Sequence, residues 1–174
     1  MKQINKPKSH ICVTSKISLH ALREKDSIAL LYLVNKNKNY LGEWLAWAKG
    51  TYSLQNSIDF IKEKKELLIL KKEYTYGIFT AKTLVGCICS HNIDWNQRTA
   101  YLGYWIAKEQ SNQGIATSCC KALIEYLFFH EGIRRIGICC EPENYASQRI
   151  AEKLRMSKTP DLRSEELYYY LTHK

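Results

Sequence analysis

The chain has 174 residues, of which 45% are hydrophobic, and a formal net charge of +9. That length suits one domain, residues 1–174, which can bury most of its apolar surface. No apolar run approaches the length of a bilayer-spanning helix, and the basic N-terminal segment lacks the hydrophobic core of a signal peptide. We therefore expect a cytoplasmic protein without a membrane partner.

The positive charge is compatible with nucleic acid, an acidic protein or an anionic cofactor as partner. Much of it lies in runs of mixed sign such as 62–66, which are typical of a solvated helix face. The lysines and arginines are not interleaved with aromatic residues in one stripe. Nucleic acid is therefore the weakest of the three interpretations.

The seven cysteines could in principle form disulfides or bind a metal. They form no CxxC pair, and no histidine stands at zinc-ligand spacing from them. We interpret them as small buried hydrophobes in a reducing compartment and predict no metal site. A metal pair formed by Cys87 and Cys89 is the minor alternative.

The N-terminal third is predicted to contain an edge strand followed by a helix. Residues 11–22 alternate between apolar and polar side chains, which indicates one or two edge-strand pieces. Asp26 can cap a helix that runs to about Asn35. Its apolar positions are predicted to include Ile28, Leu31 and Val34.

A polar break over 35–39 separates this helix from the sequence YLGEWLAW at 40–47. Trp44 and Trp47 are three residues apart, a spacing that places two side chains on one face of a helix. From periodicity alone, core packing is the simplest interpretation of the pair.

The middle of the chain predicts an amphipathic helix and then a sheet. The helix runs from about Ser53 to Leu70, with apolar residues on one face and charges of both signs opposite. Three strand-like segments follow, and the second is apolar on both faces and therefore central. The three segments are 74–81, 84–89 and 99–107.

Residues 101–117 read as a buried strand, a short polar loop and the first turn of a helix. The helix carries an apolar stripe at spacings of four and ends at Gly132. A helix N-terminus presents unpaired N–H groups and a partial positive charge, which suits a phosphate, and Gly114 allows a ligand close to the main chain. On loop shape alone, a tight connection is the simpler interpretation.

The C-terminal part predicts a strand, a helix and a last strand. Residues 134–140 form a strand that follows a strand–helix unit and so suits a parallel pairing. A helix opens after Asn144, which in its local interpretation is simply the N-cap. The last strand is predicted over 165–171.

Three sequence motifs resemble one known family. The loop resembles the acetyl-CoA-binding motif Gln/Arg-x-x-Gly-x-Gly/Ala of the GNAT N-acetyltransferases, after the GYW-type strand of their RimL/RimJ-like branch. Gly114 and Ala116 match, whereas Ser111 replaces Gln or Arg and Asn112 stands where a second Gly is common. The segment 40–47 resembles the LxxWLpW element of the same branch, and 150–156 looks like its xAExLGF element.

The resemblance implies an α/β (α+β) fold, the GNAT fold. Its central sheet is mixed and mostly antiparallel, contains one splayed parallel strand pair, and has helices on both faces. The implied cofactor is acetyl-CoA, with its pantetheine arm inserted in the splay. The implied cofactor-binding residues are Gly103, Tyr104, Trp105, Ile106, Ser111, Asn112, Gln113, Gly114, Ile115, Ala116, Thr117, Asn144 and Ser147. The implied acceptor-binding residues, in an element that overhangs the acceptor site, are Tyr40, Trp44 and Trp47.

The implied chemistry is direct attack of an amine on the acetyl thioester, which needs a base, an oxyanion donor and an acid for the leaving thiolate. The family's oxyanion donor corresponds to the backbone N–H of Trp105 or Ile106. Ser147 is the candidate acid, and we expect it to need an activating neighbour; Tyr168 and Tyr169 are weaker candidates. Glu166 is the candidate base and Glu141 its alternative, although either carboxylate could simply be solvated.

The function implied by the resemblance is N-acetylation of a primary amine. The branch favours the N-terminal α-amine of a protein, such as a ribosomal protein. Acetylation of a polyamine or another small amine is the first alternative, and an acetyl-CoA-binding module without turnover is the second. A homodimer is a further partner that we consider. In addition, Arg155 replaces the glycine of the xAExLGF element, which predicts a helix end that differs in detail.

Overall fold

The computed structural model describes residues 6–159 and 166–173. Its strands are β1 His10–Cys12, β2 Ile17–His20, β3 Tyr74–Thr80, β4 Thr83–Asp94, β5 Thr99–Ile106, β6 Arg135–Cys140, β7 Ser157–Thr159 and β8 Leu167–Thr172. Its α-helices are α1 Ser27–Lys36, α2 Lys38–Gly42, α3 Leu54–Ile69, α4 Ile115–Tyr126 and α5 Tyr145–Lys153. Short 3-10 turns lie at Glu24–Asp26, Ala46–Lys49 and Lys108–Gln110, and a π-helical turn at Leu127–Glu131 follows α4.

The described strands form one sheet in the order β1-β2-β3-β4-β5-β6-β8-β7. Neighbouring strands are antiparallel except for the parallel pair β5 and β6. The pairing of β5 with β6 ends at Leu102 opposite Ile138, although β5 continues to Ile106 and β6 to Cys140. The predicted mixed sheet with one splayed parallel pair is therefore confirmed.

Helices cover both faces of the sheet, as predicted. On one face α4 packs its buried residues, among them Cys119 and Leu123, against strand residues such as Tyr76 and Ile136. On the other face α1 and α3 form a smaller cluster with Cys87 of β4. Because β4 carries helices on both faces and strands on both edges, its apolar sequence is explained by burial.

The first helix begins where it was predicted but differs in detail. The Asp26 carboxylate accepts the N–H of Arg23 at 2.8 Å and makes no capping hydrogen bond to α1. Of the predicted apolar positions, Val34 is buried, whereas Ile28 is 69% exposed. The buried face instead runs through Leu30 and Leu33 because the sheet meets α1 on that side.

The predicted polar break at 35–39 is shorter than predicted, because α1 continues through Lys36 and α2 begins at Lys38, so that only Asn37 separates them. Asn37 between the two helices is buried. Its Nδ2 donates to the carbonyl of Leu33 at 2.9 Å, and its Oδ1 accepts the N–H of Lys108 at 2.9 Å. A residue that reads as a loop former therefore ties the end of α1 to the segment after β5.

The prediction that Trp44 and Trp47 share a helix face is also wrong. Helix α2 ends at Gly42, and Trp47 lies in the separate 3-10 turn that begins at Ala46. Leu45 between the two tryptophans has extended backbone angles, which break the helical period. The two rings therefore lie on different surfaces.

The cysteines are only partly as predicted. All seven are free; Cys87, Cys119, Cys120 and Cys140 are buried, but Cys12 in the short edge strand β1 is exposed. Within residues 6–159 and 166–173, no group of three potential metal ligands comes together. In the same described ranges, no helix is both long and apolar enough to cross a bilayer.

Candidate active site

A groove of about 690 Å³ opens where β5 and β6 separate. The ends of these strands, the segment after β5, the start of α4 and the start of α5 form its walls. Of the predicted cofactor-binding residues, all except Gln113 line it. The Gln113 side chain donates instead to the carbonyl of Glu109 at 3.0 Å, back toward its own turn.

The backbone of β5 presents its alternate residues to the groove. Ala107 donates its N–H to the carbonyl of Val85 at 2.8 Å, so this residue points toward β4. Because successive residues of a strand point to opposite edges, Trp105 also faces β4, and Tyr104 and Ile106 face the gap. Of the two predicted oxyanion donors, the N–H of Ile106 thus points into the gap, whereas the N–H of Trp105 points toward β4 and cannot serve there.

The loop before α4 contains two residues with left-handed backbone angles. Asn112 and Gly114 both have positive φ angles, 62° and 76°. No side chain caps α4. Helical hydrogen bonding begins with the N–H of Ser118, which donates to the carbonyl of Gly114. The first-turn N–H groups of residues 115–117 precede it and have no acceptor within the helix. Asparagine tolerates the left-handed conformation, so Asn112 reproduces what a glycine would provide there.

Three cations at the groove were missed by the sequence analysis. Lys108 follows β5, and Arg149 and Lys153 lie four residues apart on α5. All three line the groove. The spacing of Arg149 and Lys153 signals a shared helix face, but only the packing of α5 beside α4 shows that this face borders the groove.

Ser147 is held at the start of α5 by its backbone and its hydroxyl. Its N–H donates to Oδ1 of Asn144 at 3.1 Å, so the N-cap interpretation of Asn144 is confirmed. Its Oγ lies 2.8 Å from the Tyr104 hydroxyl. Burial raises the pKa of Tyr104, which keeps that phenol protonated. Ser147 thus has a neutral hydroxyl neighbour at the groove.

Glu166 and Glu141 both line the groove. Glu166, just before β8, accepts a hydrogen bond from Sγ of Cys139 at 2.9 Å and one from the Tyr168 hydroxyl at 3.2 Å. Burial, and then the hydrogen bond to Glu166, raises the pKa of Cys139 to about 12, so that thiol remains a proton donor to the carboxylate.

The predicted acceptor residues separate between two cavities. Tyr40 and Trp44 line the groove, where the Tyr40 hydroxyl lies 3.2 Å from Oγ of Ser111. Trp47 lines a second cavity, also of about 690 Å³, on the face of β5 toward α1 and α3. Both cavities reach Gly103, Tyr104 and Trp105, so this stretch of β5 forms a partition between them.

Comparison with known proteins identifies the family. The acetyltransferase (GNAT) domain matches residues 16–157, which include every strand of the groove except β8. The chain belongs to the GNAT acetyltransferase family. As a member it is an N-acetyltransferase that uses acetyl-CoA.

Curated relatives of similar length match most of the chain. A candidate ribosomal N-acetyltransferase of Bacillus subtilis, YdaF, is 32% identical over 147 residues, 82% of this chain and 78% of that protein. The ribosomal-protein-serine acetyltransferase of Escherichia coli is 28% identical over 143 residues, 81% of this chain and 79% of that protein.

Solved structures share the fold. RimL, a ribosomal alpha-N-protein acetyltransferase solved with coenzyme A, superposes with a TM-score of 0.88 at 24% identity, covering 94% of this chain and 97% of that one. The microcin self-immunity acetyltransferase MccE, solved with acetyl-CoA and AMP, gives 0.87 at 22% identity, covering 98% and 100%.

Proposed function

We propose that this enzyme transfers the acetyl group of acetyl-CoA to the N-terminal α-amine of a protein, by direct attack of the amine on the thioester. The observation that carries the proposal is the opening between β5 and β6, with the Tyr104–Ser147 hydroxyl pair beside it. Two relatives whose names refer to ribosomal acetyltransferases support a protein acceptor, and a ribosomal one would place the enzyme in the cytoplasm.

The groove offers distinct features to the parts of acetyl-CoA. The free backbone groups of Tyr104 and Ile106 can hydrogen-bond the pantetheine arm as an added strand would. The first turn of α4 and the turn at Asn112 and Gly114 suit the pyrophosphate. Lys108, Arg149 and Lys153 supply positive charge for the remaining phosphate.

Acetyl-CoA supplies an activated thioester, and the residues of the chain handle charge and protons. The N–H of Ile106 faces the gap and stabilises negative charge on the carbonyl oxygen. Ser147 donates its proton to the leaving sulfur, and its oxygen regains a proton from solvent. The Tyr104 hydroxyl, which burial keeps protonated, lies 2.8 Å away and can hydrogen-bond the serine oxygen as the activating neighbour. Glu166 takes a proton from the acceptor ammonium through water, which leaves the free amine to attack, and Glu141 is the alternative base.

Two other functions fit the same groove. Acetylation of a polyamine or another small amine would use the same thioester chemistry with a different acceptor. A cofactor-binding module without turnover would use the groove alone. A homodimer is compatible with each of these functions.

The test is a calorimetric titration with acetyl-CoA, combined with a thiol-release assay over peptides and polyamines. Binding with release of CoA on a peptide supports the proposal, and release on a polyamine alone supports the first alternative. Binding without release on any amine supports the module. The control is Gly114→Glu, whose side chain would project into the open groove and should abolish binding; unchanged affinity would contradict the assigned groove.

A further inference from the structure

The second cavity has an apolar half built from three elements. Leu30 of α1 and Phe60 of α3 face it together with Trp105 of β5. Trp47 joins them, with its ring centroid 6.3 Å from Trp105 and 6.0 Å from Tyr52. Adjacent aromatic rings of this kind favour a flat or branched apolar group over water.

The other half of the cavity is charged. Lys64 lies 3.2 Å from Glu63 and 3.1 Å from Glu73, so two carboxylates share one ammonium. His91 and Cys89 of β4 lie beside them, next to Gly103. The Asp, Glu, Lys and Arg side chains that line the cavity are Glu63, Lys64 and Glu73. Together they carry one excess negative charge, which favours a cationic ligand.

The charged half of the second cavity lies beside Gly103, at one end of the stretch of β5 that separates the two cavities. Gly103 is paired with Cys89 and is the first residue of β5 beyond the pairing with β6. An amine held by the carboxylates would therefore lie beside Gly103, a residue that both cavities reach. The apolar half, around Trp105 and Cys87, lies farther along the strands toward Ile106.

We propose that the acceptor is a primary amine that carries a large apolar group, held with its ammonium toward Glu63 and Glu73 and its apolar group against Trp47, Phe60 and Trp105. For a protein acceptor, this means a first residue with an aromatic or branched aliphatic side chain. This proposal rests on the proposed function and narrows its acceptor class.

The experiment compares three ligands by calorimetry on the enzyme saturated with CoA. L-phenylalaninamide has both the ring and the ammonium, L-serinamide lacks the ring, and 3-phenylpropionamide lacks the amine. Burial of one aromatic side chain predicts that L-phenylalaninamide binds at least about tenfold more tightly than L-serinamide. It should also bind more tightly than 3-phenylpropionamide. Equal or tighter binding of either control ligand overturns the proposal.

Variants assign the preference to the cavity. Trp47→Ala should weaken L-phenylalaninamide about tenfold and leave L-serinamide unchanged. Glu63→Gln should weaken L-phenylalaninamide and leave 3-phenylpropionamide unchanged. Trp95→Ala is the matched control, because Trp95 has similar exposure, 41% against 48% for Trp47, and lies outside both cavities. If Trp95→Ala weakens binding as much as Trp47→Ala, the assignment is wrong.

Thiol release with the same ligands separates this proposal from the proposed function. Preferential binding of L-phenylalaninamide without CoA release on any amine supports the cavity and contradicts the transferase mechanism at this site. CoA release that favours L-serinamide supports the mechanism and contradicts the apolar acceptor.

Discussion

At the residue scale, two residues that differ from the family motifs still adopt the backbone conformation expected of the glycines they replace. Asn112 and Arg155 stand where glycines are common, and both adopt positive φ, 62° and 57°. Arg155 completes a Schellman motif: its N–H donates to the carbonyl of Glu152 at 2.9 Å, and the N–H of Met156 donates to that of Ala151 at 3.0 Å. The expectation of a different helix end is therefore wrong, because hydrogen bonding fixes this conformation despite the side chain.

Arg155→Gly should stabilise the protein, because the arginine side chain is sterically disfavoured in the left-handed region. We expect the free energy of unfolding to rise by roughly 1 kcal/mol. Urea unfolding measures it. Arg149→Gly makes the same exchange inside α5 and should lower stability by a similar amount; a gain there would refute the conformational explanation.

Ser147→Ala and Tyr104→Phe should each lower turnover, by about 10²-fold or more for the first and less for the second. The first removes the proton donor and the second only its hydroxyl neighbour at 2.8 Å. Single-turnover thiol release, with acetyl-CoA affinity measured in parallel, tests both. Tyr101→Phe removes a comparable hydroxyl contact, to Tyr170 at 2.7 Å, and serves as the control. Wild-type rates in Ser147→Ala would end its proposed role.

Glu166→Gln should slow the reaction most at low pH, where free amine is scarce and a base is needed most. The pH dependence of kcat/KM from pH 6 to 9 measures the effect. Glu141→Gln is the matched variant at the same groove. A larger loss in Glu141→Gln would transfer the role to Glu141, and no change in either would assign proton removal to bulk water.

At the element scale, the site depends on how closely β4 approaches the end of β5. A Cβ atom at Gly86 would lie 2.2 Å from the carbonyl oxygen of Trp105 and 2.9 Å from Cα of Ile106. Both are backbone atoms, which cannot move without shifting the strand. The position of the free N–H groups in the gap is therefore set by a glycine on the neighbouring strand.

Gly86→Ala should displace the end of β5 and weaken acetyl-CoA binding, with a loss of stability of roughly 1–3 kcal/mol. Calorimetry and thermal unfolding measure the two effects. Gly50→Ala is the control, since a methyl group at Gly50 would meet no heavy atom within 4 Å and the φ angle there is −77°. If Gly86→Ala binds the cofactor normally, the strand position does not limit the site.

At the scale of the whole molecule, the sheet and its helices bury several thiols. Burial raises the pKa of Cys89 and Cys119 to about 12 and also raises that of Cys87 and Cys120. Folded thiols therefore keep their protons at a pH where thiols of the unfolded chain ionise. The buried thiols make the fold sensitive to alkali.

Stability should fall as the pH rises above about 9, the ordinary thiol value, because the unfolded state then binds fewer protons than the folded state. Each buried thiol contributes a slope of roughly 1.4 kcal/mol per pH unit once its unfolded form is ionised. Below that pH both states hold the proton and these groups add no slope. Urea unfolding between pH 7 and 10.5 tests this, and Cys119→Ala should reduce the slope whereas Cys12→Ala, at an exposed thiol, should not.

The sequence by itself determined the order of the main strands and helices, the short loop at Gly114 and the stop at Gly132, which follows α4 and its π-helical turn. These features follow from local periodicity and backbone preference, which neighbouring residues decide. Burial of Asn37 and the separation of Trp44 from Trp47 required the tertiary structure, because distant elements override local propensity there. The register of β4 on β5 decided that Ile106 faces the gap, and the packing of α1 and α3 on the sheet created the second cavity. Contacts between residues far apart in sequence leave no periodic signal within either segment.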